Sequence, residues 1–302
     1  MLCYVTAAKG VVLVPVTNFG LRDRRAGTLT AVNSSVGVSR KLQRIRANPQ
    51  IALAYHTRRY GWTDRPEYVL VQGRASLSAP HPRYPETIRE AFDFYGGGYP
   101  RGGPISQWWL RAWHLRVGIT LAVERIVVWP ELSCRDEPAI YGSPLPQDPP
   151  ASQAQPKNGT GPRLNPRRAA KRAAALPESL LGWVGADGFP VVTPARAAGS
   201  EERGIVLHPP PGLVPPGERR AGFTAHRFGN YNVGQLQRIH TGWMQSEDDL
   251  VVYAPHTKSG YWMPRSPTAY KLMAGAGTRW GLRASRQAGF VPGREPKKGA
   301  GP

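Results

Sequence analysis

The chain has 302 residues, enough for two domains that each bury a core, and its 31 Pro and 34 Gly call for many turns or a long connector. Two cysteines, Cys3 and Cys134, form neither a CxxC pair nor an even framework, which excludes a zinc ribbon and a disulfide scaffold and fits a reducing cytoplasm. The net charge of +20 is concentrated in Arg163 to Arg172, which carries five cations, and in Arg279 to Lys298. No helix-turn-helix, zinc-finger or RNP motif stands beside them, so solvated basic segments are expected rather than a specific nucleic-acid site. No apolar run approaches the ~20 residues of a membrane-spanning helix.

Leu2 to Val16, interrupted at Ala8-Lys9-Gly10, reads as a hairpin of two buried strands. Thr28 to Val32 is a strand. Ser39 to Ala47 is a short helix: Val38, Leu42 and Ile45 share one face, Ser39 is the N-cap, and Asn48-Pro49 is the stop. Strands follow at Gln50 to His56 and Tyr68 to Ser78, a helix at Pro85 to Tyr95, and a closing strand at Ile119 to Trp129, so a first unit spans 1–141. Residues 142–166 have the Pro, Gly, Gln and Ser content of a disordered linker. The second unit, 167–290, opens with a basic, Ala-rich helix near Arg167 to Ala175. Asp187-Gly188 between Leu180 to Val184 and Phe189 to Thr193 signals a hairpin. A disordered tail occupies 291–302.

The two units repeat. Gly27 to Ile45 (GTLTAVNSSVGVSRKLQRI) matches Gly222 to Ile239 (GFTAHRFGNYNVGQLQRI), closing on the same Leu-Gln-Arg-Ile. His56-Thr57-Arg58 with Trp62 matches His256-Thr257-Lys258 with Trp262. Two matches in the same order predict a tandem duplication of related domains.

The sharpest local signal is Ser34-Ser35-Val-Gly-Val-Ser39-Arg40-Lys41, where a strand ends, a Gly-containing turn follows and a helix starts. Free backbone N–H groups, hydroxyls and two cations at such a junction suit a phosphate. A Ser-capped surface helix with solvated cations is the plain alternative. In the second copy Val233, Gly234 and Gln235 stand in place of Ser39, Arg40 and Lys41, removing both cations. His56 and His256 read first as satisfied turn residues; with Arg58 and Lys258 they could instead meet an anionic substrate or cofactor tail. The remaining five histidines are scattered, so no metal site is expected. Gly96 to Gly103 lacks a P-loop's GK[ST], Trp108, Trp109 and Trp113 read as core packing, and neither GxSxG nor HExxH occurs.

Taken in order, a strand ending in Ser, Gly-x-Ser-Arg-Lys on a short helix, Asn-Pro, an apolar strand, YVLVQGRASL and a strand before ERIVVWP resemble the FMN-binding split β-barrel family of pyridoxamine 5′-phosphate oxidases, flavin- and deazaflavin-dependent oxidoreductases, over about residues 2–130. The resemblance implies a mainly β fold of two tandem split barrels forming a pseudo-dimer. It implies FMN, or alternatively a deazaflavin coenzyme, with the phosphate held by Ser34, Ser35, Ser39, Arg40 and Lys41, and hydride transfer at the flavin to a substrate left open. The second copy would wall the flavin without binding its own. The basic pair that family oxidases carry on the second strand is missing from VLVPVTNF, so the vitamin substrate is not implied. The family's helix before the first strand has no counterpart either, so that strand is shortened or the true start lies upstream. No residue is assigned as acid or base. The partners implied are a small-molecule substrate and, at most, a second copy; a non-catalytic flavin-binding or sequestering protein and a basic interaction module are the other classes.

Overall fold

Runs of β-branched and aliphatic residues fold into two curled antiparallel sheets, accompanied among the described residues by four helices. The structure, a computed structural model, describes residues 1–16, 21–34, 39–57, 64–78, 103–110, 116–229, 233–247 and 250–287. The expected helix at 85–95 and the tail 291–302 lie outside these residues. The first sheet holds β1 (Leu2–Val5), β2 (Val11–Val14), β3 (Leu21–Asp23), β4 (Thr28–Ser34), β5 (Gln50–Tyr55), β6 (Tyr68–Ser78), β7 (Arg116–Trp129) and β8 (Ala139–Gly142). The second holds β9 (Glu178–Val184), β10 (Pro190–Pro194), β11 (Arg196–Glu201), β12 (Gly204–His208), β13 (Gly217–Arg227), β14 (Leu236–Glu247) and β15 (Leu250–Trp262). The helices are α1 (Ser39–Ala47), α2 (Pro104–Leu110), α3 (Pro166–Ala174) and α4 (Pro267–Gln287). Strand order is β2-β1-β5-β6-β7-β4-β3, with β8 added to β7, in the first sheet and β10-β9-β13-β14-β15-β12-β11 in the second. These are one topology used twice.

The registers fix which residues are equivalent. The hairpin turn closes at Val5 opposite Val11 in the first sheet and at Val184 opposite Pro190 in the second. Both turns use the same two backbone bonds, Thr6 N to Gly10 O with Lys9 N to Thr6 O, and Gly185 N to Phe189 O with Gly188 N to Gly185 O. Their left-handed position is Lys9 (φ 57°) in one and Gly188 (φ 84°) in the other. Cys3 pairs with Ala52 as Gly182 pairs with Gly222. The bulge at Gln72/Gly73 returns at Thr241/Gly242. There a Cβ on Gly73 would sit 2.0 Å from Ala122 O, and one on Gly242 would sit 2.1 Å from Ala254 O, so only glycine fits.

This register replaces the one expected from identical letters. Leu42-Gln43-Arg44-Ile45 lies in α1, whereas Leu236-Gln237-Arg238-Ile239 begins β14. The tetrapeptide is compatible with both: its apolar ends share one face of a helix, or lie on opposite faces of a strand that β13 and β15 flank. His56, just beyond β5, is equivalent to His226 rather than to His256.

Each sheet curls round its own core. Leu2, Tyr4, Ile51, Leu53, Val71 and Leu121 line the first, and Leu42 and Ile45 of α1 plug it. In the second, Leu181, Trp183, Phe223, Met244 and Tyr253 are plugged by Ala169, Ala170 and Ala173 of α3. A third core lies between the sheets, where Cys3, Val11, Leu13, Ala54, Tyr68 and Leu70 meet Leu180 and Val192. Burying a side chain of this size contributes roughly 1.5–3 kcal/mol, against about 1 kcal/mol net for a hydrogen bond, so apolar burial dominates the join. The polar contacts set its register: Tyr68 Oη donates to Val192 O (2.7 Å) and Gln72 Nε2 to Pro190 O (2.7 Å). Arg125, almost wholly buried, donates to Gln72 Oε1 (2.8 Å) and to Asp187 Oδ2 (2.7 Å). The ion pair thus has further acceptors to offset its desolvation.

The stretch 142–166, expected to be disordered, is laid along both sheets. Gln153 donates through Nε2 to Lys9 O and through its backbone N–H to Glu218 O (2.8 Å), while Pro150 O accepts from Arg219 Nη2 (3.0 Å) and Pro255 O from Arg163 N (3.0 Å). A proline-rich strap has few N–H groups to satisfy and loses little entropy on ordering, and its carbonyls serve buried arginines as acceptors.

At the centre of the join His56 Nε2 lies 2.7 Å from His226 Nε2, with Phe228 packed against both rings. His56 Nδ1 faces Ala54 O at 3.3 Å and must donate to it. His56 Nε2 is then the acceptor and His226 Nε2–H the donor, which leaves the unpartnered His226 Nδ1 as a bare acceptor. The pair is neutral, and burial pushes His226 down to about 3. The unfolded chain therefore takes up this proton first as pH falls. Its contribution is complete above about 6.5 and is lost between there and about 3, at up to ~1.4 kcal/mol per pH unit. Urea midpoints measured from pH 7 to 4 should fall, and His226→Gln, which keeps a donor for His56, should flatten the slope; an unchanged slope refutes the neutral pair. Gly242→Ala should cost about 3 kcal/mol by urea unfolding, because the new Cβ meets backbone.

Candidate functional site

Strand β4 and helix α1 meet at the junction expected to take phosphate. β4 continues to Ser34, opposite Arg116 of β7, and α1 begins at Ser39. Ser35 lies outside the described residues. Alternation along β4 turns Ala31 into the first core and Val32 outward against Leu110 of α2 and Ala274 of α4, both buried. Leu42 and Ile45, fully buried, lock α1 over the mouth of the sheet.

That lock decides where the two cations go. Arg40 is exposed. Lys41 is half-buried, and its Nζ donates to Asn33 Oδ1 at 2.5 Å. Burial of this ammonium pulls its pKa from 10.5 to about 8. Among the described residues no carboxylate pairs with it, and the first turn of α1 holds no acid. A desolvated cation whose partner is a neutral amide oxygen retains most of its capacity to attract an anion, and the N-terminal end of a helix adds to that field. An entering phosphate would raise the Lys41 pKa again and replace lost water with charge-assisted hydrogen bonds, each worth roughly 1.5–3 kcal/mol. The residues present fit a phosphate group.

Topology gives a different account of the second unit's missing site. The counterpart of α1 lies between β12 and β13, in residues 209–216, which carry five prolines and neither Lys nor Arg. Pro215 O and Pro216 O accept from Arg219, at 2.8 and 2.7 Å. Val233 to Gln235, matched by sequence to Ser39 to Lys41, instead form a turn against Pro264, with Gly234 N bonded to Pro264 O at 2.9 Å. Both comparisons leave the second unit without the cation pair, and only the topological one shows what fills the space.

The histidine and basic candidates separate. His56 is buried against His226, whereas His256 in β15 bonds Thr160 O of the strap at 3.2 Å, and burial lowers its pKa. Lys258 is exposed on β15 opposite His240, and Arg58 lies outside the described residues. The three that are described, His56, His256 and Lys258, have separate surroundings. Sequence reasoning missed Asn33, His226 and Phe228; pairing the two hairpins first, rather than identical letters, would have brought out His226. Both cysteines are buried and free, and burial pushes the Cys134 thiol up to about 12 and Cys3 higher still, so neither is a nucleophile at neutral pH. Among the described residues no cluster of His, Cys, Asp and Glu could hold a metal ion, and no helix is long and apolar enough to cross a membrane.

No family model matches the chain, and no curated protein matches it. Among solved structures it is similar to a heme binding protein from Mycobacterium smegmatis, at 14% identity and a TM-score of 0.28, over 95% of this chain and 91% of that one. The residues of the chain itself therefore carry the functional reading. One consequence is direct: Asn33→Asp would place a carboxylate against Lys41, raising its pKa and occupying it. Inorganic phosphate should protect the wild-type protein against thermal unfolding and should protect Asn33→Asp far less; equal protection would move the anion elsewhere.

Proposed function

We propose that the chain is an FMN-dependent oxidoreductase whose one flavin site lies at the junction of β4 and α1. The observation that carries this reading is Lys41, a desolvated ammonium with a neutral partner and, among the described residues, no carboxylate, on a plugged helix whose first turn holds Arg40 and no acid. The resemblance of the segment from Ser34 to Lys41 to the phosphate-binding segment of FMN-binding split barrels supplies the identity of the anion. In this reading Lys41 neutralises the phosphate from within, Asn33 holds Lys41 in place, and Arg40 approaches from solvent. The bound flavin would supply hydride chemistry at its ring, and the protein would contribute anchoring and orientation. The second unit, with a proline loop in place of α1, would serve as structural partner through the shared core.

The test is direct titration of the purified protein with FMN, followed by flavin fluorescence, with a deazaflavin coenzyme as comparator. Lys41→Met should leave the thermal midpoint unchanged or higher, because it removes a desolvation cost, and should weaken FMN binding by at least about tenfold. Arg40→Ala should weaken it less. For the wild type, affinity should fall about tenfold per pH unit above about 8, as Lys41 loses its proton in the free protein. Protein that takes up neither cofactor, or Lys41→Met that binds FMN as the wild type does, would overturn the proposal.

A further inference from the structure

Helices α2 and α4 enclose a cleft that the flavin reading does not use. Its volume is about 590 Å³, within the usual range of small-molecule sites, ~300–1,000 Å³. One wall is Ile105, Trp108 and Trp109 of α2, and the other is Leu272 of α4, with Thr268 and Lys271 at the rim. Three of these apolar side chains face solvent to an unusual degree: Ile105 is 84% exposed, Leu272 58% and Trp108 53%. Single exposed apolar residues are ordinary, but three on the facing walls of one cleft mark a surface meant to be covered.

The walls are fixed before anything binds. Leu110 and Ala274 pack with Val32 beneath the cleft. The helices approach so closely that a Cβ on Gly275 would lie 2.1 Å from Trp109 Nε1. Arg279 stacks on both indoles, 4.0 Å from the Trp108 ring and 4.6 Å from that of Trp109. The same guanidinium donates to Trp108 O (2.7 Å) and Trp109 O (3.2 Å), capping the last carbonyls of α2. A cleft held in this way charges little reorganisation to its ligand.

Charge then narrows the occupant. Among the described residues that line the cleft Lys271 is the sole ionisable group, and the Arg279 guanidinium stacks on its indole wall. A second copy of a chain with net charge +20 is a poor partner for such a rim, and a cationic ligand a worse one. We propose that the cleft between α2 and α4 binds an amphipathic carboxylic acid, its aliphatic or aromatic body between Trp108 and Leu272 and its carboxylate on Lys271. The cleft shares no lining residue with the phosphate junction, and the failure of this proposal would leave the FMN proposal standing.

Isothermal titration of the full chain with laurate, below its micellar concentration, tests the assignment against two probes with the same tail, dodecanol and dodecyltrimethylammonium. Laurate should bind at one saturable site and the other two more weakly. Lys271→Glu should weaken laurate about tenfold. Ile105→Ser and Leu272→Ser should also weaken it, with thermal midpoints and FMN titrations unchanged because both side chains face solvent. Trp280→Ala, on the same helix, 84% exposed and outside the cleft, should change nothing. No laurate binding, equal binding of all three tails, or an equal loss in Trp280→Ala would overturn the proposal. So would a dimer, seen by analytical ultracentrifugation, that Leu272→Ser dissociates, since the cleft would then be covered by a second copy.

Discussion

Two hairpins that cannot be buried alone hold this molecule together. β1–β2 and β9–β10 each turn one face to the core of their own sheet and the other to the opposite sheet, so Leu13 and Val192 have no dry environment until the two units meet. The join is therefore driven by apolar area and positioned by a few buried polar contacts. Those contacts are restrictive: the His56–His226 pair stays neutral so that one N–H bridges the two Nε2 atoms, and buried Arg125 is met by Gln72, Asp187 and Pro144 O. The strap 142–166 adds carbonyl acceptors that an apolar edge could not provide.

Within that frame the two halves keep one topology and diverge where each sheet is plugged. The first uses α1, whose Leu42 and Ile45 are core while Arg40 and Lys41 are left at the mouth. The second uses the alanines of α3 and replaces the counterpart of α1 with a proline loop that caps Arg219. The choice of plug follows from packing, and the charge at the mouth follows from the plug. Asymmetry of the proposed anion site is thus a consequence of how each core is closed, with no change in strand order.

Much of the fold was legible because local signals were consistent. Helix α1 runs from Ser39 to Ala47 as its apolar spacing, Ser at the start and Asn-Pro at the end require, and β6 spans Tyr68 to Ser78 as an apolar strand should. The Asp187-Gly188 turn is where the hairpin signal puts it. The long helix α4 was not legible, since Gly275 and Gly277 weaken its propensity; contact with α2 and Trp109 compensates. Trp108 and Trp109, expected as core, divide between solvent and helix contact, because the indole of Trp109 needs a glycine on the partner helix to approach and that of Trp108 has none.

The sequence by itself determined that the chain is mainly β, that it is duplicated, and that a strand, a turn and a cationic helix meet between Ser34 and Lys41; each rests on residues close together in the chain. Only the tertiary structure decided the register of the duplication. Leu-Gln-Arg-Ile has no intrinsic preference strong enough to choose helix or strand, and the neighbours that choose, the first core for Leu42 and β13 with β15 for Leu236, are distant in sequence. It also decided that His56 meets His226, and that Lys41 is desolvated while Arg40 is not. Burial and partnership across the join are properties of two surfaces brought together, and no single stretch of chain encodes them.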